Sequence, residues 1–418
     1  MHVELITIGD ELLLGFTIDT NAAYLARTLA ATGVEIVRRT TVGDRADAIV
    51  AAVGEALDRT GAVITTGGLG PTSDDLTKPA IASLFGRTMR LDEGILERLI
   101  ARWTARGLPL PFPAPNRQQA MIPDGARILT NRHGSAPGIW LEDGRHRWVA
   151  MLPGVPREMR GMLGDELLPA ILERTSAGGP AVVVRSLTLR TTGIAESALA
   201  EKLGELADGV EGLPLAYLPG MDGVDLRLTA RGVSADEADR ALAIGESALR
   251  ARVGPQYIYG IGEADLAEVV LDQCRVRRLR VAVAESCTGG LLGARLTAIP
   301  GSSDVFWGGV ISYDNSVKTG VLCVGQDVLD RDGAVSTTVA AAMAAGVRER
   351  LGTEVGIAVT GIAGPGGGTA DKPVGTVCLA IDGLGEPRSV RTQLFGDRDE
   401  IRRRAAQAAL NMIRRALM

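Results

Sequence analysis

Apolar positions in the first 174 residues fall into short unbroken runs, separated by stretches with helical spacing. Residues 3–8 (VELITI) suit a buried strand, residues 19–33 carry apolar side chains at helical intervals between an Asp/Thr start and a Gly stop, and residues 34–42 alternate as a strand. Asp44 is placed to cap a helix ending at Gly61, and residues 62–66 make a further short apolar strand. This alternation predicts a largely parallel, doubly wound sheet covered by helices, with ligands at the C-terminal ends of its strands.

Two polar motifs fall at such ends. Gly9-Asp10-Glu11 follows the first strand, and residues 65–75 (TTGGLGPTSDD) follow the third. Gly67, Gly68 and Gly70 would let a phosphate approach the backbone. Asp10, Glu11, Asp74 and Asp75 are hard oxygen donors, suited to a divalent cation that neutralises a pyrophosphate and activates water. The plainer role for Asp74 or Asp75 is to cap a helix over residues 76–85. Beyond lie a proline-rich connector at 108–115, a polar turn at 131–138 in which His133 reads as an exposed loop residue, and LPGVP at 152–156, where the last strand gives way to a helix with Pro near its start.

Ala177-Gly178-Gly179-Pro180 reads as a linker. A small βαββα module follows: strand 181–189, helix 194–206, strands 213–218 and 224–230, and a helix to 253 that Ser234 and Glu237 open as a capping box. Gly220-Met221-Asp222-Gly223 matches the GxxG of a KH domain in letters, but it carries an acid and joins two strands, so it reads as a hairpin turn.

From residue 261 the pattern changes again: a helix over 264–276, then an apolar strand over 279–284 that breaks at Glu285-Ser286-Cys287-Thr288-Gly289-Gly290 into helical periodicity. Ser286 therefore sits at a strand-to-helix elbow, where a nucleophile can stand over helix N–H groups. All three histidines (His2, His133, His146) lie far away in sequence, so the base for such a serine would be a lysine. Lys318 and Tyr313, in the YDNSVK that follows an apolar strand over 309–311, are the candidates. To act as a base, Lys318 needs its pKa lowered from ~10.4 towards ~7 to 8, which is about 4 kcal/mol of differential stabilisation and requires burial. Ser286 also suits a simple N-cap, and Cys287 is a rival nucleophile. A glycine-rich loop at 361–368 (GIAGPGGG) follows the strand 355–360, and the last helix, 397–418, carries Arg398 and Arg402.

ESCTGG, YDNSVK and GIAGPGGGTADKPVGTV, in that order, closely resemble the nicotinamide mononucleotide deamidase domain at the C-terminus of the CinA, or competence and damage inducible, family. GDELLLG, TTGGLGPTSDD and LPGVPREM resemble its N-terminal domain, so the resemblance spans the chain. It implies a molybdopterin-binding-like α/β domain over 1–174 acting as an ADP-ribose pyrophosphatase with a divalent metal (Mg, Mn or Co) and K+. It further implies a KH-like α+β spacer or dimerisation domain over 181–256, a deamidase α/β domain over 261–418, and a homodimer. On the deamidase side, Ser286 is the implied nucleophile, Lys318 the base and Tyr313 the assistant. Thr288, Gly289 and Gly290 would hold the oxyanion, and Gly364, Pro365, Gly366, Gly367, Thr369, Arg398 and Arg402 the substrate's phosphate. Two other classes stay open: a non-catalytic nucleotide- or pterin-binding N-terminal half, and a partner protein in competence or recombination.

Composition narrows this little. In 418 residues, 46% hydrophobic content suffices for packed cores, and four cysteines without CxxC or Cys/His spacing argue for reduced thiols and against structural zinc. A net charge of -5 disfavours direct nucleic-acid contact. Without an apolar run of membrane-span length and with a strand-like start, the expectation is a cytoplasmic protein with no membrane partner.

Overall fold

A computed structural model describes residues 1–176 and 183–418. The linker expected at 177–180 and the first two residues of the strand expected over 181–189 lie outside the described residues. The chain forms two compact units, residues 1–185 with 230–240 and residues 186–229 with 241–418. The three-module α/β layout holds, with most of the middle module sharing the second unit with the C-terminal domain.

In the first unit a six-stranded sheet runs in the order Glu35–Val42, His2–Ile8, Ala62–Thr66, Trp148–Leu152, Gly138–Glu142, Arg127–Leu129. The first four strands pair in parallel and the last two antiparallel. Successive side chains on a strand point to opposite faces. Ile6 and Ile8 thus join a core with Ile49, Val53 and Ile81, whereas Val3 and Leu5 join one with Leu25, Leu29 and Leu163 on the other face. Asp19 caps helix Thr20–Ala30 by accepting the Ala22 N–H. Helix Ala46–Thr60 starts one residue later than expected: its N-cap is Arg45, which gives no side-chain cap, because Asp44 is turned towards Asp10 instead. Helix Thr77–Leu84 likewise begins at Leu76 without a side-chain cap, so neither Asp74 nor Asp75 serves there.

In the second unit the residues Gly220 to Gly223 close a hairpin between Leu213–Pro219 and Val224–Val233, with the Gly220 N–H donating to the Gly223 carbonyl at 2.8 Å, as the turn reading required. Strand Ile258–Ile261 adds an edge that the βαββα reading lacked, pairing antiparallel with Val183–Thr191. The C-terminal sheet runs Phe306–Ile311, Val281–Glu285, Val355–Gly361, Thr376–Asp382, Arg388–Gln393, with the first three strands parallel and the last two antiparallel additions. Val281 and Val283 face the long helix Arg398–Ala416 through Ile401, Leu410 and their neighbours. Ala282 and Ala284 face Met343 and Val347 of helix Thr337–Leu351. With cores on both faces, the sheet leaves its strand ends for chemistry. No helix among the described residues is long and apolar enough to cross a membrane.

Candidate functional site

At the end of strand Val281–Glu285 the backbone stays tied to the neighbouring strand, with the Ser286 N–H donating to the Val359 carbonyl at 2.9 Å. The chain then turns through Gly289 and Gly290, at φ +61 and +96, into helix Leu291–Thr297. This is the expected elbow, but several of its N–H groups are already taken. The Glu285 carboxylate, on a residue only 1% exposed, accepts from Gly290 and Leu292 at 3.0 Å and from Gly293 at 2.8 Å. The Gly289 N–H donates to the Ser286 carbonyl at 3.1 Å. The oxyanion role expected of Gly289 and Gly290 is therefore corrected: these groups shape the elbow. Glu285 was missed; an acid just ahead of a helix start was its signal.

Lys318 lies in the one-and-a-half-turn helix Asn315–Gly320, whose N-cap Asp314 accepts from the Ser316 N–H. Its side chain is the largest fully buried one among the described residues. Nζ donates to the carbonyls of Ser312 at 2.7 Å and Tyr313 at 3.3 Å. Burial lowers its pKa, opposed in part by the charge of Asp314. Ser286, Tyr313 and Lys318 line one cavity of about 210 Å³, together with Asn315, Thr360 and Arg398. Cys287 lines it too, but burial pushes its thiol up to about 12, which leaves it a protonated and poor nucleophile near neutral pH.

Arg398 donates from Nη2 to the Tyr313 hydroxyl at 2.9 Å and from Nη1 to the Gly364 carbonyl at 2.5 Å, clamping the tyrosine to the glycine loop. Only Gly361 and Ala363 of that loop reach the cavity wall. Pro365, Gly366, Gly367 and Thr369 are exposed, and the Thr369 hydroxyl accepts from the Lys372 N–H, so Thr369 braces a turn and does not face the cavity. Arg402 donates to the Thr288 carbonyl at 2.9 Å and so holds the elbow. Of the expected phosphate ligands, Arg398 alone lines the cavity.

In the first unit a separate cavity of about 460 Å³ opens at the strand ends, lined by Glu11, Asp44, Gly67, Gly68, Gly70, Asp74 and Asp75. Its glycines are demanded by the chain itself: a Cβ at Gly67 would stand 2.1 Å from the Ile8 carbonyl oxygen, and one at Gly68 2.1 Å from the Thr77 hydroxyl. Asp75 accepts from the Gly70 and Thr72 N–H groups at 2.7 and 2.8 Å and from the Thr72 hydroxyl at 2.6 Å, which makes it the brace of this loop. Asp10 and Asp44 exchange backbone and side-chain hydrogen bonds, and Asp10 is absent from the cavity wall. Among the described residues no three His, Cys, Asp or Glu side chains converge as a metal cage, so the four-carboxylate site is corrected. Asp44, missed as a site residue because it read as a cap, has its pKa raised by burial and by the charges of Asp10, Glu11 and Asp74.

The chain matches three family models: "Probable molybdopterin binding domain" over residues 4–173, "Damage-inducible protein CinA KH domain" over 186–260 and "CinA C-terminal domain" over 263–417. A CinA-like protein of Gemmatimonas aurantiaca is 62% identical over 416 residues, covering 100% of this chain and 96% of the relative. One from Salinibacter ruber is 44% identical over 418 residues, with 100% of both covered. The crystal structure of a competence/damage inducible protein from Agrobacterium tumefaciens aligns at 41% identity and a TM-score of 0.36, covering 37% of this chain and 94% of that one.

Proposed function

This chain belongs to the CinA family, and from that premise we propose that its C-terminal domain deamidates nicotinamide mononucleotide and its N-terminal domain hydrolyses ADP-ribose to AMP and ribose 5-phosphate. The observation that carries the first reading is Lys318: a buried amine held by two carbonyls on the wall it shares with Ser286. A neutral primary amine has two N–H bonds and one lone pair. With both N–H groups directed at the Ser312 and Tyr313 carbonyls, the lone pair is left to take a proton.

Ser286 Oγ attacks the carboxamide carbon as its proton passes to Lys318. The tetrahedral intermediate collapses, Lys318 returns the proton to the departing nitrogen, and ammonia leaves. Water, deprotonated by the same lysine, then cleaves the acyl ester to give nicotinate mononucleotide and free Ser286. Tyr313 accepts a hydrogen bond from Arg398, so its own O–H is available to donate to the substrate oxygen. The cavity's small volume suits the pyridine ring, and Arg398 at its wall suits the anionic remainder.

For the N-terminal cavity the donor set fits a hard cation that takes one or two carboxylates, from Glu11, Asp44 and Asp74, and completes its shell with substrate phosphate and water. Such an ion would neutralise the pyrophosphate and acidify a bound water. Residues Asp10 and Asp75 position this set through the hydrogen bonds described above.

The direct test incubates the full chain with nicotinamide mononucleotide and with ADP-ribose plus Mg, Mn or Co, measuring ammonia and AMP. Ser286→Ala should abolish ammonia release and leave AMP release intact. Ammonia release at the wild-type rate by that variant would end the serine mechanism, and wild-type protein that releases no AMP under any metal would end the pyrophosphatase reading.

A further inference from the structure

A cavity of about 770 Å³ lies within the second unit, apart from the Ser286 cavity, between the middle module's turns at 192–195 and 221–223 and the outer strand and last helix of the C-terminal domain. Its volume is that of an ordinary small-molecule site. Three arginines reach it, Arg388, Arg404 and Arg415. None of them forms an ion pair among the described residues, and the Arg404 Nε is buried without a hydrogen-bond partner. The one carboxylate on the wall, Asp222, is already matched by Arg190 at 3.5 Å and Arg295 at 3.8 Å. The Asn411 amide oxygen is taken by Arg414, which leaves its NH₂ as the group with donor capacity. Cationic and donor groups without internal partners, around a concave wall, call for an anion.

The wall also carries apolar side chains, among them Phe395, a residue 75% exposed at the strand-to-helix corner, with Leu394 and Met412. An exposed aromatic ring at the edge of a cationic cavity offers a stacking surface to a planar group. We propose that this cavity is a second ligand site, for a nucleoside polyphosphate whose phosphates meet Arg388, Arg404 and Arg415 and whose base stacks on Phe395. The helix Arg398–Ala416 runs from this site to the deamidase cavity, presenting Arg404 and Arg415 here and Arg398 there.

Phe395→Trp in the full chain places a reporter at the rim, read as the difference from the emission of the parent protein with its four tryptophans. Titration with ADP should give a saturable change, with pyrophosphate and adenosine each binding at least tenfold more weakly. The double substitution Arg388→Gln/Arg415→Gln, at exposed positions, should weaken ADP at least tenfold, as should Arg404→Met; Ser286→Ala should leave the titration unchanged. Pyrophosphate binding as tightly as ADP would remove the nucleoside from the assignment. No saturable change up to about 10 mM ADP, where binding is negligible, or a change indifferent to the arginine substitutions, overturns the site. Emission that follows protein concentration without ADP would instead make this face a contact with a second copy and overturn it equally.

Discussion

Lys318 donates a 2.7 Å hydrogen bond from Nζ to the carbonyl of Ser312, from a side chain left only 1% exposed. Because burial lowers its pKa, the neutral form that acts as base becomes accessible at lower pH than for a free lysine. Deamidation kcat should therefore rise with pH through an inflection below 10.5. A pH–rate profile checks this, and Lys318→Arg, which keeps the charge but cannot give up its proton, should lose the activity together with the inflection.

Ser286→Ala and Lys318→Ala should each lower kcat by roughly a thousandfold or more, and the double variant by little beyond either, since the two act as a unit. Cys287→Ala should stay within severalfold of wild type, because its thiol is held protonated. Single-turnover ammonia release measures all four.

Glu285→Ala removes the acceptor of three N–H groups beside a buried side chain. At about 1 kcal/mol or more for each donor left unpaired, stability should fall by about 3 kcal/mol. Chemical denaturation reads the loss, and Glu285→Gln, which retains an acceptor oxygen, should recover part of it.

Lys78, 3% exposed, donates to the Gln118 carbonyl, and burial lowers its pKa from 10.5 to about 8. Between pH 8 and 10.5 the unfolded chain thus binds a proton that the folded chain has lost, so stability rises with pH across that window. The increment is about 3 kcal/mol at most. Below pH 8 both states are protonated and the contribution is flat. Lys78→Met should remove this rise from the difference between pH 8 and pH 10.5 unfolding curves, while other titrating groups contribute equally to both proteins.

In the N-terminal cavity, Asp44→Asn should raise the Mg or Mn concentration for half-maximal AMP release at least tenfold, because Asp44 lines the cavity and its charge is crowded by Asp10, Glu11 and Asp74. Asp75→Asn should act on the loop that Asp75 braces. The expected readout is faster proteolysis of residues 67–76, with the metal requirement shifted less than by Asp44→Asn.

Local sequence determined the strands, most helices, the hairpin at Gly220 to Gly223 and the elbow at Ser286, because periodicity, glycine and caps act over a few residues. It also placed Tyr313 and Lys318 after a strand end, and the absence of nearby histidine pointed to lysine chemistry. What it could not decide was which polar groups would already be satisfied. Glu285 takes the Gly290 N–H expected for an oxyanion, Asp44 turns from a helix start to Asp10, Asp75 closes on its own loop, and Arg402 holds the Thr288 carbonyl. Each of these is a choice among several partners of similar chemistry, settled by distances of a few ångströms between segments up to 114 residues apart. Sequence spacing carries no such information; only packing of the sheet and helices brings one partner within reach and leaves the others out.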